Sequence, residues 1–462
     1  DASEPTDDAS EPTDDAPEPT DDAPELTDDT EIADNDVIVE DPNCPTIAGI
    51  EEVGEMDGKK VCEIAGVFTE DLTLESNKIW VLNGGVTIGE NSENMNAPIK
   101  TATLTIQPGT LIMGGMGDQR DFLVINRGSK IIANGTKEKP IRFTSVKEDP
   151  APGDWGGLMV NGWAPINCGG ATTPCQRQAE TGVEWYGGDN PHDNSGILRY
   201  VIIEYSGYQI TSEKEFNGLT LQGVGDGTTI EYIATRHIAD DGIEWFGGTV
   251  NAKYLYVEDA GDDGLDWTFG YSGKVQFAIV KQTPTTGDRG IEADTNDKKY
   301  DDTPVSVPIF SNITLLGDNG EAGKTQGIIM RHGSGGFIHN TIVKGFVTAC
   351  LNLNDYSFNH AAANPPKLKI THTILDCTNP VRENDEKDAN GNPINDPWDL
   401  SDWFDAQPGN MVGNAKLNGY IPASDSPALG AGATPNDSFF DPVDFIGAVK
   451  DAASDWTKGW ID

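Results

Sequence analysis

Asp-Asp-Gly recurs at a fixed interval in this chain. The segment HIADDGIEWFGG begins at His237 and EDAGDDGLDWTFG at Glu258, each with Asp-Asp-Gly, an apolar residue, an acid and a Trp. The two copies lie 22 residues apart, and Arg289-Gly290 continues the series 26 residues after Asp263-Gly264. Around them run short apolar, β-branched or aromatic stretches broken by Gly or Asn, such as TLTIQPGTLIMGG, FLVINRGSKIIANGT and GLTLQG. Such stretches read as strands, and none shows a helical period over three turns. A period in the low twenties holding several short strands predicts stacked coils. A β-propeller needs ~40–50 residues per repeat, and no such period is visible. The fold class predicted is all-β: a right-handed parallel β-helix (solenoid) preceded by a disordered acidic tether.

The tether is residues 1–43. It opens with the heptapeptides DASEPTD, DASEPTD, DAPEPTD and DAPELTD, and holds 18 acids with no Lys or Arg. Such a segment has too little apolar surface to order itself, and Pro with like-charge repulsion keeps it extended as a spacer. Residues 44–462 are read as the β-helix domain, with an irregular capping extension over about 381–462.

The formal charge is −45, from 76 Asp and Glu against 31 Lys and Arg. That excess repels nucleic acid and anionic membranes and attracts divalent cations. No stretch approaches the ~18 apolar residues of a membrane span. The chain starts at Asp1 without Met and is read as a processed form. Its cysteines fall into three near-neighbour pairs, Cys44/Cys62, Cys168/Cys175 and Cys350/Cys377. Six cysteines allow 15 connectivities. Without CxxC spacing, three local disulfides in an oxidising compartment are a better reading than zinc.

The segments PIRFTS, GDWGGLMVNGWAPIN, DNSGILRYVIIEYSGY, FNGLTLQGVGDGTTIEYI and EWFGGTVNAKYLYV, with the ending FFDPVDFIGAVK and DWTKGW, carry a resemblance. The chain resembles a family of exported bacterial right-handed parallel β-helix proteins, many described only as lipoproteins or hypothetical secreted proteins. The resemblance covers residues 60–462. It implies an exported protein at the cell surface, outer-membrane-associated or extracellular, with a lipid anchor upstream of Asp1. It supplies no reaction.

In a β-helix the 22-residue spacing places Asp240/Asp241 one rung from Asp262/Asp263, about 4.8 Å away, with Asp288 on the next rung. A second acidic ladder is Glu244, Asp266 and Glu292. By strand alternation Ile243, Leu265 and Ile291 point inward and these acids outward. Carboxylates this close repel unless protonated or bridged by a cation, and calcium takes several carboxylate oxygens at ~2.3–2.6 Å. The calcium set is thus Asp240, Asp241, Asp262, Asp263, Glu244, Asp266 and Asp288. Two other readings stand beside it. Asp-Gly is turn chemistry, with Gly supplying positive φ, and Asp241, Asp263, Arg331 and His332 could instead form a catalytic set.

Trp245 and Trp267 follow the acid ladder by one residue. They are either core residues stacked on each other or a sugar platform. Trp185 and Tyr186 flank the Cys168/Cys175 loop, a candidate binding protrusion. Asp388, Asn390 and Asn392 stand at alternating positions with Asp399 at the twelfth, as in an EF-hand loop, although Pro393 replaces its glycine. The function expected is a cell-surface or secreted calcium-binding β-helix that binds a glycan or surface protein without catalysis. The alternatives are a calcium-dependent polysaccharide lyase or glycoside hydrolase, and a purely structural surface protein.

Overall fold

The computed structural model describes residues 41–115, 121–211, 214–283, 287–318, 325–354, 356–383 and 399–461. Most of the tether and the 388–392 part of the EF-hand-like loop lie outside them. The described residues carry a 25-stranded sheet wound into coils. The first pair, Ile50–Met56 with Lys59–Phe68, is an antiparallel hairpin at the N-terminal end. Beyond it coil pairs with coil in parallel, and crossovers between twisted parallel strands take the right hand.

The long strands Gly196–Glu204, Thr229–Ile238, Asn251–Ala260, Lys274–Lys281, Ile309–Leu316, Gly336–Lys344 and Leu368–Asp376 stack in register. Each bends once and so supplies two faces. The bend is a residue at positive φ: Tyr200, Tyr232, Tyr254, Phe277, Asn312, Asn340 and His372. A side chain in that region costs about 1–2 kcal/mol. Stacking offsets the cost in the first four, whose rings lie 4.3, 4.3 and 5.0 Å apart along the column. The third face is made of Leu219–Gln222, Ile243–Phe246, Asp263–Thr268, Arg289–Ala293, Gln326–Met330 and Ala349–Leu353.

On this face the register is the one the repeat predicts. Ile243 pairs with Leu265 and Leu265 with Ile291; Glu244 pairs with Asp266 and Asp266 with Glu292. The apolar three are fully buried in the core. The repeat's glycine has a different reason from the one expected. Gly242, Gly264 and Gly290 are not at positive φ. A Cβ on Gly242 would lie 2.4 Å from Val257 Cγ1, and one on Gly264 2.3 Å from Val280 Cγ1. These glycines are steric necessities at a crowded corner.

Three disulfides, Cys44–Cys62, Cys168–Cys175 and Cys350–Cys377, join the near-neighbour pairs. The C-terminal region begins as part of the coil, since Val381–Glu383 and Met411–Val412 still pair with the preceding rung. From there the chain runs back along the helix as a strap. Asn340 exchanges hydrogen bonds with Ala433, Asn312 donates to the Phe445 and Gly447 carbonyls, and Trp460 ends edge-on to Tyr200 and Tyr232.

Candidate cation site and groove

The outward positions of the third face form an acidic grid. Successive rungs place Asp240, Asp262 and Asp288 in one row, Asp241, Asp263 and Arg289 in the next, and Glu244, Asp266 and Glu292 in a third. Eight of nine positions are carboxylates and the ninth is a guanidinium. The Asp241 Oδ1 accepts a 2.9 Å bond from the Asp263 backbone N–H, so one carboxylate oxygen ties a rung to the next.

Two protrusions close over one end of the grid. The loop between the paired strands Arg177–Gln178 and Trp185–Tyr186 contributes Glu180, and the hairpin of Gln209–Thr211 with Lys214–Glu215 contributes Glu215. Both line a pocket of about 220 Å³ whose other walls are Asp240, Asp241, Glu244, Asp262, Asp266 and Phe246. Seven carboxylates and one ring line it, and no basic side chain does. Oxygens of Asp240, Asp241 and Asp262 lie within 4.8 Å of one another, as do those of Asp241, Glu244 and Asp266.

Charge so crowded resists ionisation. Burial, and then the Glu215 and Asp262 charges, push Asp240 up to about 8. Burial, and then Asp262, raises Asp263 to about 8 against the pull of Arg289. Asp241, Glu244 and Asp266 are driven well above the usual carboxylate range, first by burial and then by Asp240, Asp266 and Asp294 respectively. A cation bound here would remove that repulsion and favour the charged forms.

The other end of the grid is neutralised from within. Arg289 Nη1 lies 2.8 Å from Asp288, 2.8 Å from Glu292, 3.5 Å from Asp263 and 3.7 Å from Asp262. Arg331 pairs with Glu292 and, at 3.1 Å, with Asp294. A groove of about 680 Å³ continues from the pocket past these residues. Arg177, Lys214 and Lys298 line it and make no ion pair among the described residues.

A family model described as a pectate-lyase-like β-helix domain matches residues 66–425. The chain belongs to the pectate-lyase-like β-helix family. No curated protein and no solved structure matches it.

Within this β-helix the sequence-predicted residues divide. Asp240, Asp241, Asp262, Glu244 and Asp266 meet in the pocket. Asp263 belongs to a third close group, with Asp266 and Glu292. Asp288 falls on the next rung as expected, but it is held by Arg289 and does not line the pocket. Trp245 and Trp267 offer no sugar platform, because strand alternation turns both inward and both are fully buried. Nor do they stack on each other: Trp245 stacks on Tyr271 at 5.3 Å, and Trp267 packs on Phe310 and donates to Ser334. Tyr186 is buried edge-on to Phe246 and lines the groove, while Trp185 is half-buried and does not.

The four residues of the catalytic alternative are not brought together around one cavity. Asp241 lines the pocket and Arg331 the groove, whereas His332 turns to Asp294 at 2.9 Å and to the Tyr300 ring. Glu180 and Glu215 are the residues sequence reasoning missed. They stand outside the repeat, and no spacing ties them to it. The described residues contain no helix long and apolar enough to cross a membrane.

Proposed function

We propose that this β-helix binds divalent cations, calcium by preference, and uses the filled pocket to hold an acidic glycan along the groove without cleaving it. One observation carries the reading: seven carboxylates line a single pocket with no basic side chain among them. An all-oxygen, flexible, multi-carboxylate site suits calcium better than softer metals or the strict octahedron of magnesium. When bound, calcium supplies a positive centre for a sugar carboxylate. The neighbouring Arg177, Lys214 and Lys298 suit the same anionic chemistry. Arg289 and Arg331 are engaged by carboxylates of the chain itself, which favours binding over base catalysis. The three disulfides fit an exported protein.

A second reading, a lyase or hydrolase, draws on Asp263, raised to about 8 next to Arg289, because a carboxyl protonated at neutral pH is a potential general acid. Glycan-array binding with calcium and with chelator, paired with a reducing-end assay, separates the two. Calcium-dependent retention of acidic glycans without product is the expected result. Calcium-dependent product, lost in Asp263→Ala, would make the protein an enzyme.

A further inference from the structure

We propose that a second cavity, between the first coils and the tip of the protrusion, docks a basic segment of a partner protein by an apolar anchor beside a Lys or Arg. This goes beyond the function proposed above and uses none of its residues. The cavity measures about 420 Å³. Strand Lys59–Phe68 supplies Val67, the segment after Ile79–Ile88 supplies Glu90, Ala97, Pro98 and Ile99, and the protrusion supplies Val183 and Glu184. Its walls are pinned to each other. Asn91 Nδ2 donates to the Val183 carbonyl at 3.0 Å, and Asn91 Oδ1 accepts from the Trp185 backbone N–H at 3.2 Å. Glu90 and Lys100 close the base of the loop with two bonds of 2.8 Å. The cavity is thus built without an occupant.

Val67 and Val183, 63% and 66% exposed, are the most exposed large apolar side chains among the described residues, and both line this one cavity. Aliphatic surface left in water on two walls favours an apolar anchor. Glu90 and Glu184 stand with them, and no basic side chain lines the cavity. Asn126 adds an acceptor. It is 1% exposed, its Nδ2 is committed to the Gly89 carbonyl at 3.0 Å, and its Oδ1 has no donor. Arg127 is 2% exposed, spends its guanidinium on the Ser92 and Gly187 carbonyls and the Trp163 ring, and does not line the cavity.

Charge selects the occupant. Residues 1–43 carry 18 acids and no Lys or Arg, and a second copy of the chain carries −45. Both bring like charge to Glu90 and Glu184, which disfavours them. A glycan finds no aromatic ring to stack on. A basic segment of another protein brings an aliphatic side chain to the valines and N–H donors to the carboxylates. The field of the acidic body steers it there.

The test is fluorescence anisotropy of a labelled Gly-Leu-Lys-Leu-Gly peptide with the full chain, beside peptides with Glu in place of Lys or Ser in place of Leu. Saturable one-to-one binding of the Leu-Lys peptide alone is expected. Val67→Ser and Val183→Ser change exposed side chains and should keep the thermal midpoint. Each should weaken the peptide about tenfold, the loss from no longer covering a valine. Glu90→Gln should weaken it as well, and Asp241→Asn should leave it unchanged. Equal binding of the Ser peptide, or indifference to both valine changes, would overturn the site in favour of attraction by the acidic body at large. Loss in Asp241→Asn would move the peptide to the acidic pocket and overturn it too. Equal binding of the Glu peptide would overturn the basic partner, and absence of saturable binding would overturn the docking itself.

Discussion

Two residues of the repeat set its limits. Gly264 is fixed by sterics, since a Cβ there would sit 2.3 Å from Val280 and 2.9 Å from the Gly290 carbonyl oxygen. Gly264→Ala is expected to cost about 1–3 kcal/mol through overpacking, read as a lower denaturant midpoint. Arg289 is fixed by charge. Arg289→Gln leaves Asp263, 2% exposed, without its counter-ion, while Glu292 keeps Arg331. Breaking a buried pair in this way costs about 3–5 kcal/mol, and calcium should recover part of it in the same unfolding experiment. A neutral effect of Arg289→Gln in chelator would show that the guanidinium is not compensating buried charge. Sequence alone identified Asp-Asp-Gly as special but assigned its glycine to positive φ. The Val257 and Val280 contacts that decide the matter come from the facing strand, beyond any local reading.

At the scale of elements, the coil was legible and its coverings were not. Alternation along Ile243–Phe246 and Asp263–Thr268, aligned by the 22-residue spacing, places acids outward and apolar residues inward, as the pairing shows. Strand alternation likewise turned Trp245 and Trp267 inward, although the adjoining acids suggested a binding platform. Glu180 and Glu215 reach the pocket from protrusions that follow no period, so nothing in their spacing announced them. The strap was equally hidden. Its contacts join residues more than a hundred positions apart, such as Gln276 with Asp441 and Arg236 with the Ile461 carbonyl. Trp460→Ala removes a buried ring packed edge-on to Tyr200 and Tyr232 at 5.5 and 6.2 Å. That should cost about 3–5 kcal/mol, visible in thermal melts, and should leave calcium stoichiometry unchanged.

For the whole molecule the governing quantity is the acidic excess, −45 over 462 residues, concentrated in part where it is buried. Asp240 and Asp263 are raised from the ordinary carboxylate range to about 8, and Asp241, Glu244 and Asp266 are raised as well. Raised carboxyls stabilise the fold fully below their unfolded values near pH 4, and that contribution is lost as pH rises through about 8. A cation that binds only the folded state reverses the trend, because the ionised pocket binds it best. The decisive measurement is therefore the thermal midpoint of the full chain from pH 5 to pH 8.5, with calcium and with chelator. The metal-free midpoint should fall as pH rises, and calcium should raise it strongly at pH 8 and little at pH 5, with the gain abolished in Asp241→Asn. A midpoint indifferent to calcium at pH 8 would contradict the account.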